Sequence, residues 1–340
     1  MQKKIFILRN NDLGDVLVVT PLIEGFKKAF PESIVSIGVG DWAKPLLEYN
    51  PHVDEIIQCN APWHNKQNCR FPANSPKTFV EGLLYIMFSK EVRNIIKNKY
   101  THGIDVLGSR QGSWLMRRAM IPNRFGVKGY AGGDNWCTKY IDFKEERKVA
   151  EAGLEFLKLI GSEEKIEPRP QIYLTKKEEK EAEQKWKSYC ELNHRIIIAP
   201  GGGFPEKCWG DANYTELTKK LVNDLDCHVI IIGSKEDSNR INIEPNLKIT
   251  NLCGKITIRE SAALVSKAKL VITNSSLSMH LAGAFKIPSI TLLGEWYDSK
   301  KLHYRQWGYP EGYVFGKEIK NQIFKVTQIK EAYNTVIDIL

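Results

Sequence analysis

The feature that most constrains the fold of this 340-residue chain is a repeated alternation of short apolar runs with segments of helical spacing. In the first half, the apolar runs predict strands at Lys4–Leu8, Ile34–Val39, Glu55–Gln58, Gly103–Leu107 and Arg124–Val127. Helical spacing occurs between them, at Asp15–Phe30, Asp41–Tyr49, Thr78–Lys97 and Gly112–Ala119. Alternation of this kind predicts a parallel sheet that is covered by helices on both faces.

A second alternating series begins after Pro168-Arg169-Pro170 and predicts another sheet of the same type. Its expected strands are Arg195–Ala199, His228–Ile232, Lys248–Asn251, Leu270–Thr273 and Ser289–Leu292. Its expected helices are Lys176–Leu192, Asn213–Asp224, Ile258–Ala268 and Leu277–Phe285. The fold class is therefore α/β, with two Rossmann-like domains at residues 1–167 and 168–325. Residues 326–340 are expected to form an amphipathic helix that packs on either domain, with a return to the first domain as one option.

Composition limits the class of protein and of partner. Hydrophobic residues make up 42% of the chain and charged residues 26%, which excludes a disordered chain. The net charge of +9 suits nucleic acid, an anionic membrane face or a phosphorylated or carboxylated substrate. Nucleic acid is not expected, because no basic run is interleaved with aromatic residues. The seven cysteines include no Cys-x-x-Cys pair, so we expect reduced thiols in a cytoplasmic protein and no zinc site.

The turn between the first predicted strand and the first predicted helix carries a candidate catalytic group. It contains Asn10, Asn11 and Asp15, and such a turn lies at the carboxyl edge of a parallel sheet, where open α/β folds bind ligands. A carboxylate there can accept a proton from a substrate hydroxyl. The alternative is that Asp15 caps the following helix, which its position alone favours.

Two turns in the second half are candidates for binding an anion. After the strand Arg195–Ala199 come three glycines and Lys207, a pattern that brings backbone N–H groups and a cation to a phosphate, although it lacks the Walker A ending. The alternative is a flexible loop with a surface lysine. After Leu270–Thr273, hydroxyl residues begin a helix whose N-terminus can hold a phosphate or be capped by them. His280 in that helix is equally a structural residue or a catalyst.

Taken together and in this order, three blocks of residues resemble glycosyltransferase family 9, the group that contains the lipopolysaccharide heptosyltransferases. The blocks are Leu13-Gly14-Asp15 with Pro21, Pro200-Gly201 with Lys207-Cys208-Trp209, and Thr273-Asn274 through Met279-His280-Leu281-Ala282 with Pro288 and Gly294. The resemblance implies a GT-B architecture, in which two Rossmann-like domains face each other across an interdomain cleft. It also implies an inverting, metal-independent transfer, with the acceptor on the first domain and the donor on the second.

The resemblance also implies roles for individual residues. It makes Asp15 the catalytic base, with Asn10 and Asn11 beside the acceptor. The implied donor-binding residues are Gly202, Gly203, Lys207, Glu236, Ile256, Ser275, Ser276, Leu277, Ser278 and His280. Two of them depart from the family pattern, which has Asp at the position of Ser275 and Gly at that of Leu277. We therefore expect a donor that differs from, or is held less selectively than, that of the usual heptosyltransferases.

The expected reaction moves a sugar, heptose by analogy, from a nucleotide donor, ADP-linked by analogy, to a lipopolysaccharide core or related surface glycan. No resident cofactor and no metal ion are expected. The acceptor is expected to be anionic and lipid-linked, which implies contact with the inner membrane face. Its candidate ligands are Arg70, Arg110, Arg117 and Arg118, with ordinary surface ion pairing as the alternative for each. The rival functions are a non-catalytic paralogue that binds a nucleotide sugar or glycan, and a nucleotide-sugar 2-epimerase.

Overall fold

A computed structural model of the chain describes residues 2–72, 75–189, 194–244, 248–318 and 327–340. The chain divides into two compact units, Met1–Tyr173 and Leu174–Leu340. The sequence prediction placed this division slightly earlier, after residue 167.

The first unit is built on one parallel sheet. Its strands are β1 Lys4–Leu8, β2 Ile34–Val39, β3 Glu55–Gln58, β4 His102–Asp105, β5 Asn123–Lys128 and β6 Lys139–Asp142. Its helices are α1 Leu13–Val18, α2 Thr20–Ala29, α3 Pro76–Phe88, α4 Lys90–Lys97, α5 Arg110–Arg118 and α6 Val149–Leu159, with short 3-10 helices at Asp41–Leu46 and Asp134–Trp136. The strand order is β3-β2-β1-β4-β5-β6, and every pair is parallel.

The central strand β1 shows why its sequence is an uninterrupted apolar run. Ile5 and Ile7 pack into a core cluster with α2 and α6, whereas Phe6 and Leu8 pack into a second cluster with α4 and α5. Successive side chains of a strand point to opposite faces. A strand that is covered on both faces must therefore be apolar at every position.

Three predicted helices of this unit differ from the structure for local reasons. The segment predicted as Asp15–Phe30 is two helices that break at Val19, because Pro21 occupies the first turn of a new helix, where its missing N–H costs nothing. The segment predicted as Thr78–Lys97 breaks at Ser89, whose hydroxyl accepts a hydrogen bond from Val92 N and caps α4. The segment Asp41–Tyr49 forms only a short 3-10 helix, since it contains Pro45.

The second unit repeats the same topology. Its strands are β7 His194–Ala199, β8 Cys227–Ile231, β9 Ile249–Asn251, β10 Leu270–Thr273, β11 Ser289–Leu292 and β12 Gly312–Phe315. Its helices are α7 Lys176–Tyr189, α8 Asp211–Asp224, α9 Ile258–Ser266, α10 Leu277–Phe285, α11 Lys300–Trp307 and α12 Ile329–Ile339, with short 3-10 helices at Pro205–Lys207 and Lys235–Asn239. The strand order is β12-β11-β10-β7-β8-β9, again parallel throughout. Both sheets thus have the Rossmann order 3-2-1-4-5-6, which confirms the α/β prediction.

The last helix belongs to the second unit. Ala332, Tyr333 and Val336 of α12 lie in the core cluster of the second unit, and Tyr333 Oη donates to Asp224 Oδ2 of α8 at 3.0 Å. The predicted end of α7 at Leu192 and the predicted start of the last helix at Val326 lie outside the described residues.

An ion pair joins two helices that cover one face of the second sheet. Arg259 of α9 donates through Nε and Nη2 to the two carboxylate oxygens of Glu178 in α7, the second contact at 2.8 Å. Both side chains are largely buried, with 9% and 19% of their surface exposed. The hydrogen bonds from Arg259 lower the pKa of Glu178 from its ordinary value of 4.5 to about 2.

We therefore expect Glu178→Gln to lower the free energy of unfolding in a pH-dependent way. The pKa of Glu178 is lower in the folded than in the unfolded state. The stabilisation is therefore complete above about pH 4.5 and is lost as the pH falls towards 2. At neutral pH the loss should be about 1–2 kcal/mol after allowance for solvent screening. Urea unfolding at decreasing pH measures the difference from the wild type, with Glu179→Gln as the control on the same helix. A difference that does not shrink in acid would show that the substitution perturbs packing and not charge.

Candidate functional site

The topology places the candidate site at the switch point of each sheet. The chain leaves the neighbouring central strands β1 and β4 towards opposite sides of the first sheet, and it does the same at β7 and β10 of the second. Ligands of open α/β sheets bind in the crevice that these diverging loops leave at the carboxyl ends of the strands. Most of the predicted site residues lie in these loops, and each unit therefore has its own set of candidate residues.

Asp15 in the first unit is held in a fixed orientation. Helix α1 begins at Leu13 with Asp12 in the capping position, so the interpretation of Asp15 as the cap is wrong. Arg9, which is buried, donates from Nη2 to Asp15 Oδ1 at 2.9 Å and from Nε to the Asp15 carbonyl oxygen at 3.3 Å. No described residue donates to Oδ2, and the side chain is 31% exposed. One carboxylate oxygen is therefore anchored, while the other is open to a hydroxyl.

Asn10 and Asn11 lie in the predicted turn after β1 and contact the long loop after β3. Both are buried, and their amides donate to the carbonyl oxygens of Trp63 at 3.0 Å and His64 at 2.7 Å. They thereby fasten the long loop after β3 to the end of β1. Their contact with an acceptor stays a prediction, and the role that the geometry shows is to position this loop.

The four predicted arginines do not lie together. Arg110 begins α5 and lines a cavity of ≈ 660 Å³ together with His64, Phe79 and Tyr130. Arg117 and Arg118 lie in the last turn of the same helix, which runs back towards the amino edge of the sheet. Arg70 is 80% exposed and pairs with Glu81 at 3.8 Å. This placement favours Arg110 among the four as an acceptor ligand.

Asp105 is a positioning residue that the sequence prediction missed. It ends β4, is 2% exposed, and accepts hydrogen bonds from Ser109 N at 2.7 Å and Ser109 Oγ at 2.8 Å. Burial raises the pKa of its carboxyl, against the effect of these hydrogen bonds and of Arg9. The bonds fix the turn that leads into Arg110. The sequence signal that could have identified Asp105 is a carboxylate at the end of a buried strand.

In the second unit, the loop that carries Lys207 is clamped by the segment after β11. Gly294 N donates to Lys207 O at 3.2 Å, and Trp296 N donates to Glu206 O at 2.9 Å. A Cβ atom on Gly294 would lie 2.4 Å from Cys208 O, so only glycine allows this approach. The ammonium group of Lys207 lies 4.9 Å from the ring centroid of Phe204. The cation is thereby held at the carboxyl edge of the sheet.

Asn274 ties the two switch-point loops together, and it too was missed as a site residue. It is fully buried directly after β10, and its Nδ2 donates to Pro200 O at 2.6 Å. Its Oδ1 accepts from Trp209 N and from Tyr214 Oη, both at 3.0 Å. Because these contacts lie on both sides of Lys207, Asn274 fixes the Lys207 loop relative to the start of α10.

The N-terminus of α10 is free to attract an anion. Ser276 occupies the capping position, but its hydroxyl bonds Thr273 Oγ1 at 3.0 Å and makes no capping hydrogen bond. Among the described residues, no side chain caps the first-turn N–H groups, which include those of Leu277 and Ser278. Uncapped N–H groups and the helix dipole together favour a phosphate at this position.

Ser275 contacts a neutral histidine. Its Oγ lies 2.8 Å from His303 Nε2, and the ring of His303 packs edge-on against Tyr297. Burial lowers the pKa of His303 to about 3, with the charge of Lys207 acting in the same direction, so the imidazole is neutral at neutral pH. The alternative that Ser275 caps α10 is wrong, because the capping position belongs to Ser276.

His280 is committed to the interior of the second unit. Its Nδ1 lies 2.7 Å from Tyr309 Oη, its ring packs edge-on against Trp307, and 6% of the residue is exposed. Burial lowers its pKa to about 4. Of the two alternatives for His280, the geometry supports a structural role. The predicted contact between His280 and a donor stays a prediction.

The remaining donor predictions lie in turns around the same edge. Glu236 is exposed in the turn after β8, whereas its neighbour Asp237 is buried and accepts hydrogen bonds from Ser234 and Arg240. Ile256 is half-buried after β9, in a turn that meets the Glu236 turn where Gly254 N donates to Gly233 O at 3.0 Å. The half-buried glycines of the Lys207 loop include Gly202, where a Cβ atom would lie 2.8 Å from Cys208 Sγ, and Gly203.

Comparison with known proteins agrees with this arrangement. The model of glycosyltransferase family 9 (heptosyltransferase) matches residues 89–326. The chain is 24% identical over 317 residues to lipopolysaccharide heptosyltransferase 2 of Salmonella typhimurium, covering 86% of this chain and 82% of that protein.

Solved structures show the same fold. The structure of E. coli ADP-heptose lps heptosyltransferase II matches with a TM-score of 0.75 and 19% identity, covering 99% of this chain and 98% of that one. The structure of E. coli heptosyltransferase WaaC with ADP-2-deoxy-2-fluoro heptose matches with a TM-score of 0.72 and 15% identity, covering 98% of this chain and 99% of that one. These likenesses confirm the predicted GT-B fold class.

The site geometry predicts that Lys207 contributes to nucleotide binding because its ammonium group pairs with the negative charge of the diphosphate. Lys207→Ala should weaken binding of ADP by about tenfold or more and leave binding of adenosine nearly unchanged, because only ADP carries the charge that Lys207 would pair with. Calorimetry with both ligands measures the two losses, and Lys219→Ala, at an exposed position of α8, is the charge-matched control. Equal losses for ADP and adenosine would make Lys207 a structural residue.

Proposed function

Because this chain belongs to glycosyltransferase family 9, and is therefore a glycosyltransferase, we propose that it moves a heptose from ADP-heptose to an anionic, lipid-linked glycan acceptor. The acceptor we propose is the lipopolysaccharide core or a related surface glycan. ADP-heptose is the donor named for the E. coli heptosyltransferase II structure, and the Salmonella typhimurium relative is named for lipopolysaccharide. We place the reaction in the cytoplasm, at the inner membrane face.

The observation that carries this proposal is the pairing of chemical roles at the two switch points. The loop after β1 presents a carboxylate with one oxygen anchored by Arg9 and the other open. The loops after β7 and β10 present the cation of Lys207 and the uncapped N-terminus of α10. A proton acceptor in one unit and an anion site in the other are the two groups that transfer from a nucleotide sugar requires.

The mechanism we propose is a single in-line displacement. Asp15 accepts the proton of an acceptor hydroxyl through Oδ2 as that oxygen forms a bond to the anomeric carbon of the sugar. The bond between the anomeric carbon and the diphosphate breaks at the same time, so the configuration at that carbon is inverted. Lys207, Ser276 and the first turn of α10 stabilise the charge on the leaving ADP, which replaces the need for a metal ion.

The acceptor half of the proposal depends on the cavity beside Arg110. The guanidinium of Arg110 is exposed and makes no ion pair with a described carboxylate, so it is available to a phosphate or carboxylate of the glycan. Phe79 and Tyr130 give the same cavity apolar walls that suit the faces of sugar rings. Family membership does not favour the two rivals, the non-catalytic paralogue and the 2-epimerase, and Asp15 and Lys207 are both present.

The base assignment predicts the effect of Asp15→Asn. Turnover should fall by roughly two to four decades, the usual contribution of a general base, while ADP binding and thermal stability are retained. Steady-state kinetics measures the loss. Asp12→Asn is the control, because it neutralises a neighbouring carboxylate in the same turn, and its amide oxygen can still accept the hydrogen bond from Lys66 N. Turnover close to that of the wild type would remove Asp15 from the mechanism.

The proposed leaving-group stabilisation predicts that activity survives chelation. Lys207 and the start of α10 supply the positive charge, so excess EDTA should change the initial rate by less than about twofold. The assay is run on enzyme that has been dialysed against the chelator. Loss of activity, with recovery on addition of magnesium or manganese, would contradict the proposed metal-independent mechanism. It would not contradict membership of glycosyltransferase family 9.

The neutral environment of Ser275 predicts a change in donor choice when a carboxylate is introduced. Ser275→Asp would place a negative charge beside His303 and the donor sugar, so the ranking of nucleotide sugars should change while binding of ADP changes little. Ser275→Ala is the control, since it removes the hydroxyl without adding charge. Competition kinetics with two donors measures the ranking. An unchanged ranking in the Asp variant would contradict a role of Ser275 in donor choice.

A further inference from the structure

Helix α3 of the first unit presents an apolar face to solvent. Val80, Leu84, Met87 and Phe88 are 52%, 54%, 50% and 67% exposed. At 3.6 residues per turn, these four positions fall within an arc of about 100°. They form a continuous ridge, which we name the α3 stripe. The opposite face of the helix, with Thr78, Gly82 and Ile86, is buried.

The groups around the α3 stripe are mostly cationic. Lys77 lies on the same face of the helix, one turn before the stripe, and is exposed. Lys90 follows the stripe, and Arg93 lies against its end, where Nη2 donates to Phe88 O at 3.1 Å. None of these three cations pairs with a carboxylate of the described residues, and the acidic Glu81 nearby is paired with Arg70. The surface is thus apolar in the middle and positive at both ends.

These properties fit a bilayer better than a second copy of the chain. The exposed area of the stripe is roughly 400 Å², about half of the ~800 Å² per partner that a stable dimer buries. The positive ends would repel each other across a symmetric contact, whereas they complement anionic headgroups. An apolar helix face flanked by Lys and Arg is the arrangement with which helices lie in a membrane surface. No described helix is long and apolar enough to cross a membrane.

We propose that the α3 stripe is a membrane-docking surface that seats the first unit on an anionic phospholipid bilayer. Val80, Leu84, Met87 and Phe88 enter the boundary between headgroups and acyl chains, while Lys77, Lys90 and Arg93 contact anionic headgroups. The same helix lines the Arg110 cavity through Pro76 and Phe79. Docking therefore brings the mouth of that cavity close to the bilayer, where a lipid-linked acceptor is presented. Only this last consequence rests on the proposed function.

Vesicle flotation with the full chain tests the docking surface directly. Vesicles of phosphatidylcholine alone and of phosphatidylcholine mixed with phosphatidylglycerol are compared at low and at high salt. The variants are Leu84→Glu and Phe88→Glu, made singly, and Lys77→Gln combined with Lys90→Gln. Ile337→Glu is the matched control, because Ile337 is an apolar residue of α12 that is 48% exposed. Circular dichroism and the melting temperature establish that each variant is folded.

We expect the wild type to float with the mixed vesicles, less so at high salt, and to float weakly with phosphatidylcholine alone. Either Glu variant should lower the bound fraction by about tenfold, and the double Gln variant should lose mainly the dependence on phosphatidylglycerol. The control should stay within about twofold of the wild type, as expected for an exposed apolar position that is not part of the α3 stripe.

Two outcomes would overturn the docking surface. One is a wild type that binds neither kind of vesicle. The other is a Glu variant that binds vesicles normally but changes the sedimentation coefficient, which would make the stripe a contact between copies of the chain. Flotation uses neither donor nor acceptor, so its result is independent of the transferase assay. A chain that floats as expected but transfers no heptose contradicts the proposed function alone.

Discussion

The candidate residues of each unit depend on one constraint. The loops that leave a parallel sheet at its switch point lose the strand partners of their backbone polar groups. In each unit, buried polar side chains supply the missing hydrogen bonds. Asp105 does so for the turn after β4, and Asn274 does so for the loops after β7 and β10. An unsatisfied buried polar group costs about 1–3 kcal/mol, so these side chains hold their loops in one conformation. The orientation of Arg110 and of Lys207 is a consequence of that requirement.

Burial also decides which groups near the site carry charge. His280 and His303 are both kept neutral by desolvation, so neither adds a positive charge near Lys207. A protonated histidine there would repel the ammonium group. A carboxylate at position 275 would reverse this balance, because it would favour the charged form of His303. The serine and the neutral imidazole are therefore electrostatically matched, and the proposed role in donor selectivity belongs to Ser275 and His303 together.

The sequence was sufficient for the topology because buried parallel strands leave a strong apolar signal, and it was weaker where that signal is absent. The edge strand β6, Lys139–Asp142, buries only Ile141 of its four residues, and β12, Gly312–Phe315, is only partly buried, so neither was predicted. The candidate roles of Asp15 and Lys207 were predicted from motifs and stay predictions. The anchoring of Asp15 by Arg9, the contact of Ser275 with His303 and the interior position of His280 could not be predicted, because each depends on side chains that meet only after folding.

The apolar stretch from Phe79 to Phe88 shows how one short sequence can satisfy two environments. It is too short to span a bilayer, and its helix is apolar on both of its faces. A helix that is apolar all round is ordinarily buried all round. Here the packing of α3 on α5 covers one face only, as the contact of Phe79 with Trp114 illustrates. Packing within the unit therefore accounts for half of the apolar pattern of α3. The other half is what the proposed membrane-docking surface explains, since the cations at both ends of the α3 stripe complement an anionic headgroup layer.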